Sequence, residues 1–199
     1  SEPMPASTLT RMHQIFPDVR MKQTYGLTEL GAIRTKSKSS DSLWMKIGGD
    51  VHHQTKVVNG ILYVRSDMAM LGYLNAEAPF DEEGWYNTGD HVEVDGDYFL
   101  IQGRDCERIN VGGEKVYPAE VESVLLSIEG VEDAAVVGVP NLILGQVVEA
   151  RIYSNEDQSL LTKRIKAVCK EKLEKYKRPM KIVYVDAPFC SDRFKKKRS

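Results

Sequence analysis

The sequence predicts an α+β chain in two parts, a β-rich stretch up to residue 102 and a small α+β unit over residues 103–199. Three observations carry this reading. From Leu43 to Gln102 the apolar residues fall in short runs separated by turn dipeptides, the mark of strands joined by tight hairpins. After Gly103 short apolar strands alternate with segments of helical periodicity. The charge divides at the same place: residues 1–102 carry 9 Lys/Arg against 14 Asp/Glu, and residues 103–199 carry 18 against 15.

Taken in order, Ala6 to Phe16 places Leu9, Met12 and Phe16 at helical spacing. Val19 to Tyr25 alternates and stops at Gly26, which reads as a strand running into a loop. Residues 34–42 are polar and read as an exposed excursion. Leu43–Ile47, Lys56–Val58, Ile61–Val64, His91–Val94 and Tyr98–Gln102 read as strands, with Asn59-Gly60 and Asp95-Gly96 as hairpin turns because both dipeptides tolerate positive φ. Beyond Gly103, Pro118 suits the first turn of a short amphipathic helix through Val121, Val124, Leu125 and Ile128 that stops at Gly130. Ala134–Val139 and Val147–Tyr153 are compact apolar strands. Leu161, Ile165, Val168, Cys169, Leu173 and Tyr176 then mark one face of a longer helix ending before Pro179, and Lys181–Val185 is a last strand.

Composition excludes several classes. With 42% hydrophobic and 28% charged residues over 199 positions, the chain can bury a core without disulfide or metal staples. No apolar run approaches the roughly 18 residues of a membrane span. Cys106, Cys169 and Cys190 are widely spaced with no CxxC pair, which argues against a zinc ribbon and fits thiols in a reducing cytoplasm. The basic end, Arg193 to Ser199, is interrupted by one aromatic, Phe194, and so makes a poor nucleic-acid surface. The opening Ser1-Glu2-Pro3 has neither an initiator Met nor a signal peptide and reads as a cut edge.

Three motifs carry chemistry. In Thr24-Tyr25-Gly26-Leu27-Thr28-Glu29 an aromatic ring suited to stacking on a base precedes a glycine, a hydroxyl and a carboxylate, and the last two are hard oxygen donors for a phosphate-bound Mg²⁺. A loop capped by Thr28 is the plainer reading. In Gly84 to Asp90 the terminal Asp90 can accept two hydrogen bonds from a ribose diol, or serve only its turn. In Gly103 to Glu122, Arg104 suits ribose or phosphate oxygens, and Gly112-Gly113 makes a tight turn before a Pro-started helix. No phosphate loop of the Gly-x-x-x-x-Gly-Lys-Ser/Thr kind occurs.

In this order and spacing the three motifs resemble the adenylate-forming superfamily of acyl-CoA synthetases, luciferases and peptide-synthetase adenylation domains. The resemblance implies the β-rich end of a large adenylating domain followed by a mobile small domain. It implies activation of a carboxylic acid with ATP and Mg²⁺ through an acyl-adenylate, then transfer to coenzyme A or to a carrier-protein phosphopantetheine. Ser1, Glu2 and Pro3 would belong to the adenine-pocket segment. Tyr25 would stack on adenine, Gly26 flank the acyl pocket, Thr28 contact phosphate and Glu29 hold Mg²⁺. Asp90 and Arg104 would bind ribose, and Gly112 and Gly113 would line the pantetheine channel. The pivot between the parts falls on Cys106, where the family usually carries Asp or Lys. The catalytic lysine of the tail would be Lys195 or Lys196. The family's first phosphate loop and most of its large domain are absent from the sequence, so the chain reads as a partial enzyme. A non-catalytic interaction fragment with a basic tail is the reading from a different class.

Overall fold

A computed structural model describes residues 4–189. Ser1, Glu2, Pro3, Cys190 and the tail lysines Lys195 and Lys196 lie outside the described residues. The chain is α+β and strand-rich, and its contacts group into two compact units, Met12–Cys106 and Glu107 onward, with residues 4–11 grouping with the second.

The first element is helix α1 (Ala6–Ile15), which buries Leu9. In the first unit β1 (Tyr25–Leu27) and β2 (Gly31–Ile33) form a short antiparallel hairpin. The strand expected from Val19 begins only at Tyr25. Residues before it satisfy their backbone groups through side chains, since Met21 N donates to Ser40 Oγ, Gln23 N donates to Ser37 Oγ, and Thr35 Oγ1 donates to Gln23 O. Those bonds replace a ladder, so alternation without a partner strand did not make a strand.

β3 (Thr35–Ser37) and β4 (Met45–Ile47) pair antiparallel. The polar stretch expected to be loop therefore supplies a strand, with Thr35 buried beneath it. β5 (His53–Val58) and β6 (Ile61–Ser66) turn through Asn59 and Gly60 at φ 52° and 79°, as the hairpin signal requires. β7 (Tyr86–Asp95) and β8 (Tyr98–Arg104) turn through Gly96-Asp97. These strands form one six-stranded sheet in the order β3-β4-β8-β7-β6-β5. β7 meets β8 with a register shift between His91 and Val92, where β8 carries the extra residue Gln102, and Asp90, His91 and Val92 are all buried. Leu30, Ile47, Leu62 and Val64 fill the core beside Tyr25 and Phe99. Residues Gly103 and Arg104 pack with this unit because the β7–β8 ladder runs through them.

In the second unit β9 (Ile109–Val111) and β10 (Glu114–Val116) form a hairpin turning on Gly112 and Gly113, at φ 59° and 96°. α2 (Pro118–Leu125) opens on its proline and buries Val121 and Leu125. β11 (Asp133–Asn141) and β12 (Gly145–Tyr153) pair antiparallel over their whole length. α3 (Gln158–Lys172) is capped by Asp157, whose side chain accepts from Leu160 N. It stops short of the periodic face, and Lys175–Lys177 continues as one 3₁₀ turn. β13 (Lys181–Val185) runs parallel to β12, so α3 is the crossover between them. The sheet order is β10-β9-β12-β11 with β13 also beside β12. Leu161, Ile165 and Cys169 of α3 and Val121 and Leu125 of α2 close over Val136, Val148, Ala150 and Ile152. Two helices on one sheet with fully buried aliphatic contacts give this unit a core of its own.

Buried Glu122 accepts from Val136 N at 2.9 Å, tying α2 to β11. Glu149 of β12, also buried, is held by Lys181 Nζ at 2.8 Å and Arg151 Nε at 3.0 Å. The hydrogen bond from Lys181 is the main reason its carboxyl lies below the usual glutamate value.

Candidate adenylate site

The ladder of β7 and β8 places Asp90 directly opposite Arg104. Arg104 Nε stands 3.3 Å from Asp90 Oδ1, and the Tyr25 hydroxyl donates to Asp90 Oδ2 at 2.6 Å. Three residues far apart in the chain thus meet at one carboxylate. Asp90 is 5% exposed, and Thr88 fixes its backbone: Thr88 Oγ1 accepts from Asp90 N at 3.1 Å and donates to Leu62 O at 2.7 Å. A carboxylate has about four lone-pair sites. Tyr25 and Arg104 take one each, leaving acceptor capacity for the two hydroxyls of a diol.

Burial is the main cause that lifts the Tyr25 hydroxyl well above the tyrosine range, with the Asp90 charge adding to it. Tyr25 therefore acts as a fixed donor to Asp90. Its ring is packed in the core beside the hairpin. Gly26 is needed for packing: a Cβ there would lie 2.8 Å from Gly31 O and 3.2 Å from Ala32 Cα. The close approach it permits in this structure is that of β2.

Glu29 lies in the turn of the same hairpin. Its Oε1 accepts from the Tyr73 hydroxyl at 2.6 Å, and that bond is the main reason its carboxyl is held below the usual range. Met70 N donates to Glu29 O at 2.9 Å, which brings the Tyr73 segment across. Tyr86 is pushed up to about 12 by burial first and then by the Glu29 charge, and Arg104 acts on both Glu29 and Tyr86. Glu29, Tyr73, Tyr86, Asp90, Arg104 and Tyr25 therefore form one electrostatic group. Thr28 is exposed at the hairpin turn beside it.

Gly112 and Gly113 sit in the β9–β10 turn of the second unit. Gly112 N donates to Leu144 O at 2.9 Å, and a Cβ on Gly112 would meet Leu144 Cδ2 at 3.1 Å. Cys106 is exposed in a single 3₁₀ turn, Asp105–Glu107, that follows β8. Tyr73 is the participant that sequence reasoning missed, since it pairs with a residue 44 positions away and has no local pattern around it. Tyr86 and Thr88 stood inside the quoted motif without a role.

Among the described residues no group of three His, Cys, Asp or Glu side chains is placed to hold a metal ion. Glu29 offers a single carboxylate, kept anionic by its partners, which suits a Mg²⁺ that draws its other ligands from phosphate and water. No helix of the described residues is long and apolar enough to cross a membrane.

A buried carboxylate held by a tyrosine and an arginine, with a second carboxylate nearby, is an arrangement that can accept hydroxyl groups. Residues 120–196 match the AMP-binding enzyme C-terminal domain, and the chain as a whole is similar to adenylate-forming, AMP-binding enzymes. It is 32% identical over 197 residues to an uncharacterised acyl-CoA ligase of Bacillus subtilis, covering 92% of this chain and 40% of that protein. It is 35% identical over 180 residues to a 2-succinylbenzoate-CoA ligase of Enterococcus faecalis, covering 81% of this chain and 36% of the relative. Among solved structures, an anthranilate CoA ligase in complex with anthranoyl-AMP matches with a TM-score of 0.80 at 25% identity, over 100% of this chain and 42% of that one. The chain thus spans about 40% of the length of the relatives it matches.

Proposed function

We propose that this chain supplies the ribose-binding and small-domain portions of an ATP-dependent acyl- or aryl-CoA ligase. The observation that carries the reading is the convergence of Tyr25 and Arg104 on the buried Asp90 carboxylate, with Glu29 also within the influence of Arg104. In the proposed reaction a substrate carboxylate oxygen attacks the α-phosphorus of ATP, the bond to pyrophosphate breaks, and an acyl-adenylate results. The thiolate of coenzyme A then attacks the acyl carbon and AMP leaves.

In that scheme Asp90 accepts the ribose hydroxyls while Arg104 and Tyr25 hold it in place. Tyr25 acts through its hydroxyl on Asp90, its ring being packed in the core, while Gly26 borders the acyl pocket and Thr28 donates to phosphate. Glu29 holds Mg²⁺, which when bound neutralises charge on the phosphates. Gly112 and Gly113 border the pantetheine path, and the part beyond the Cys106 pivot acts as the mobile small domain. Lys195 or Lys196 supplies the tail cation, and Ser1, Glu2 and Pro3 border the adenine. A cytoplasmic enzyme of fatty or related carboxylic acid metabolism follows from the same reading.

Positioning and electrostatics carry both steps. The two hydrogen bonds from the diol to Asp90 are charge-assisted, so Asp90→Ala is expected to weaken AMP binding by about 10- to 100-fold. Ligand-observed NMR with AMP and the 199-residue chain reads this directly, and Arg104→Ser is the parallel variant. AMP binding that survives both variants unchanged would sink the reading. Thioester formation with coenzyme A against a holo-carrier protein, in a chimera carrying this chain in place of the matching part of a relative, decides the acceptor.

A further inference from the structure

The first 102 residues are acidic in balance, yet six of their nine cations fall between residues 20 and 46. Those six, Arg20, Lys22, Arg34, Lys36, Lys38 and Lys46, all line one cleft of about 1030 Å³ within the first unit. Only two carboxylates line it, and both are engaged. Asp97 pairs with Lys46 at 2.7 Å, while Asp50 accepts from the backbone and ring of His53 and from His52 N. Lys38 is paired with Asp95 at 2.5 Å. Arg20, Lys22, Arg34 and Lys36 have no carboxylate partner among the described residues. Four like charges gathered in one concavity repel one another, and a concave wall focuses their field on whatever enters.

The cleft also offers donors that are already positioned. Ser37 Oγ and Ser40 Oγ each accept from a backbone N–H, of Gln23 and Met21, at 2.7 and 2.8 Å. Each hydroxyl keeps its proton to donate, and both serines line the cleft. Cations and hydroxyl donors converging on a space of this size match one small, multiply charged anion. The large apolar residues of the lining are Met21 and Tyr98, too few for an apolar rim that enters a bilayer or for a row of base-stacking rings.

We propose that this cleft binds a soluble polyphosphate chain, at a site sharing no lining residue with the Asp90–Arg104 group. Recognition is by charge: Arg20 and Lys22 stand on the segment before β1, Arg34 and Lys36 on and beside β3, and the phosphate oxygens accept from Ser37 and Ser40 between them.

The test is calorimetric titration of the 199-residue chain with inorganic tripolyphosphate at fixed ionic strength, with sulfate as the comparison anion. Saturable binding below about 1 mM is expected, weakened by about two- to fivefold for each cation removed. Arg20→Ser with Lys22→Ser and Arg34→Ser with Lys36→Ser are separate double variants, so failure of one to fold leaves the other. Asp90→Ala and the helix α3 control Lys163→Ser with Lys166→Ser are expected to bind as the parent does. Because Asp90→Ala removes the proposed ribose acceptor, the two sites fail or survive independently. A non-hydrolysable nucleoside triphosphate titrated in the Asp90→Ala background is expected to match tripolyphosphate, since the phosphate chain is what is read. Sulfate equalling tripolyphosphate, both double variants binding normally, or a single-stranded oligonucleotide outcompeting tripolyphosphate at equal charge would each overturn the proposal.

Discussion

Removing the Tyr25 hydroxyl isolates the interaction on which the candidate site depends. Tyr25→Phe keeps the ring in the core and deletes one donor to Asp90, a carboxylate whose side chain is 7% exposed. Hydrogen bonds to charged groups contribute about 1.5–3 kcal/mol, and Asp90 is too buried for water to replace the lost donor freely. Both tryptophans, Trp44 and Trp85, lie in the first unit, so their fluorescence follows the unfolding of that unit alone. With a urea slope of about 1.5 kcal/mol/M for a unit of this size, the midpoint should fall by about 1–2 M. In a double-mutant cycle with Asp90→Asn most of that loss should appear as coupling. The pH dependence has a definite sign. Tyr25 ionises far above the ordinary tyrosine value of about 10 when folded and near it when unfolded. The unfolded state therefore binds fewer protons at alkaline pH, and the stabilisation, full below about pH 10, is lost as pH rises beyond it. Tyr25→Phe should flatten that alkaline decline. A midpoint moved by less than about 0.3 M, with the alkaline decline intact, would refute the reasoning.

Other outcomes follow from the packing. Gly26→Ala forces a Cβ to within 2.8 Å of Gly31 O, and the tryptophan-monitored transition should lose about 1–3 kcal/mol. Lys181→Met removes the main cause of the depressed Glu149 carboxyl, so NMR titration of that carboxyl should give a higher pKa. A depressed glutamate stabilises the fold above its unfolded value and ceases to as pH falls through its folded one, so the variant's acid unfolding should begin at higher pH. Burial raises the Cys169 thiol to about 11 while Cys106 is exposed. Peptide mapping after brief thiol labelling should find Cys106 modified in the native protein and Cys169 only after unfolding.

The legible parts of the fold were those where local chemistry and tertiary pairing agree. Asn59-Gly60 demanded a two-residue turn, and β5 and β6 pair around it. Pro118 opened α2 and the spaced aliphatics of α3 cover the sheet. Val19 to Tyr25 shows the opposite case, because alternation records only which face a residue prefers and cannot supply a neighbouring strand. The polar run at 34–42 hid β3 for a related reason: Thr35 is buried by donating to Gln23 O, which hydropathy does not register. In the candidate site, Tyr25, Glu29, Asp90 and Arg104 were readable from motif order. Tyr73 was not, since its value comes from Met70 N reaching Glu29 O across the fold. The cleft cations, scattered over 27 positions of sequence, become one feature only when β3, β4 and the preceding segment fold together.

The register shift at His91 and Val92 makes β7 intolerant of changes in length. Thr88, Asp90 and Val92 stand two residues apart and are all buried on one inward phase of the pleat, while the residue left over at the shift is Gln102 of β8. Deleting one residue between Asp90 and Val92 would put Val92 out of phase with Thr88 and Asp90 and turn one side or the other toward solvent. Insertions at the Gly96-Asp97 turn carry no such consequence, because that loop is exposed. Viable length variation among natural or designed versions of this strand should accordingly gather at its far turn, leaving the stretch from Thr88 to Val92 at constant length.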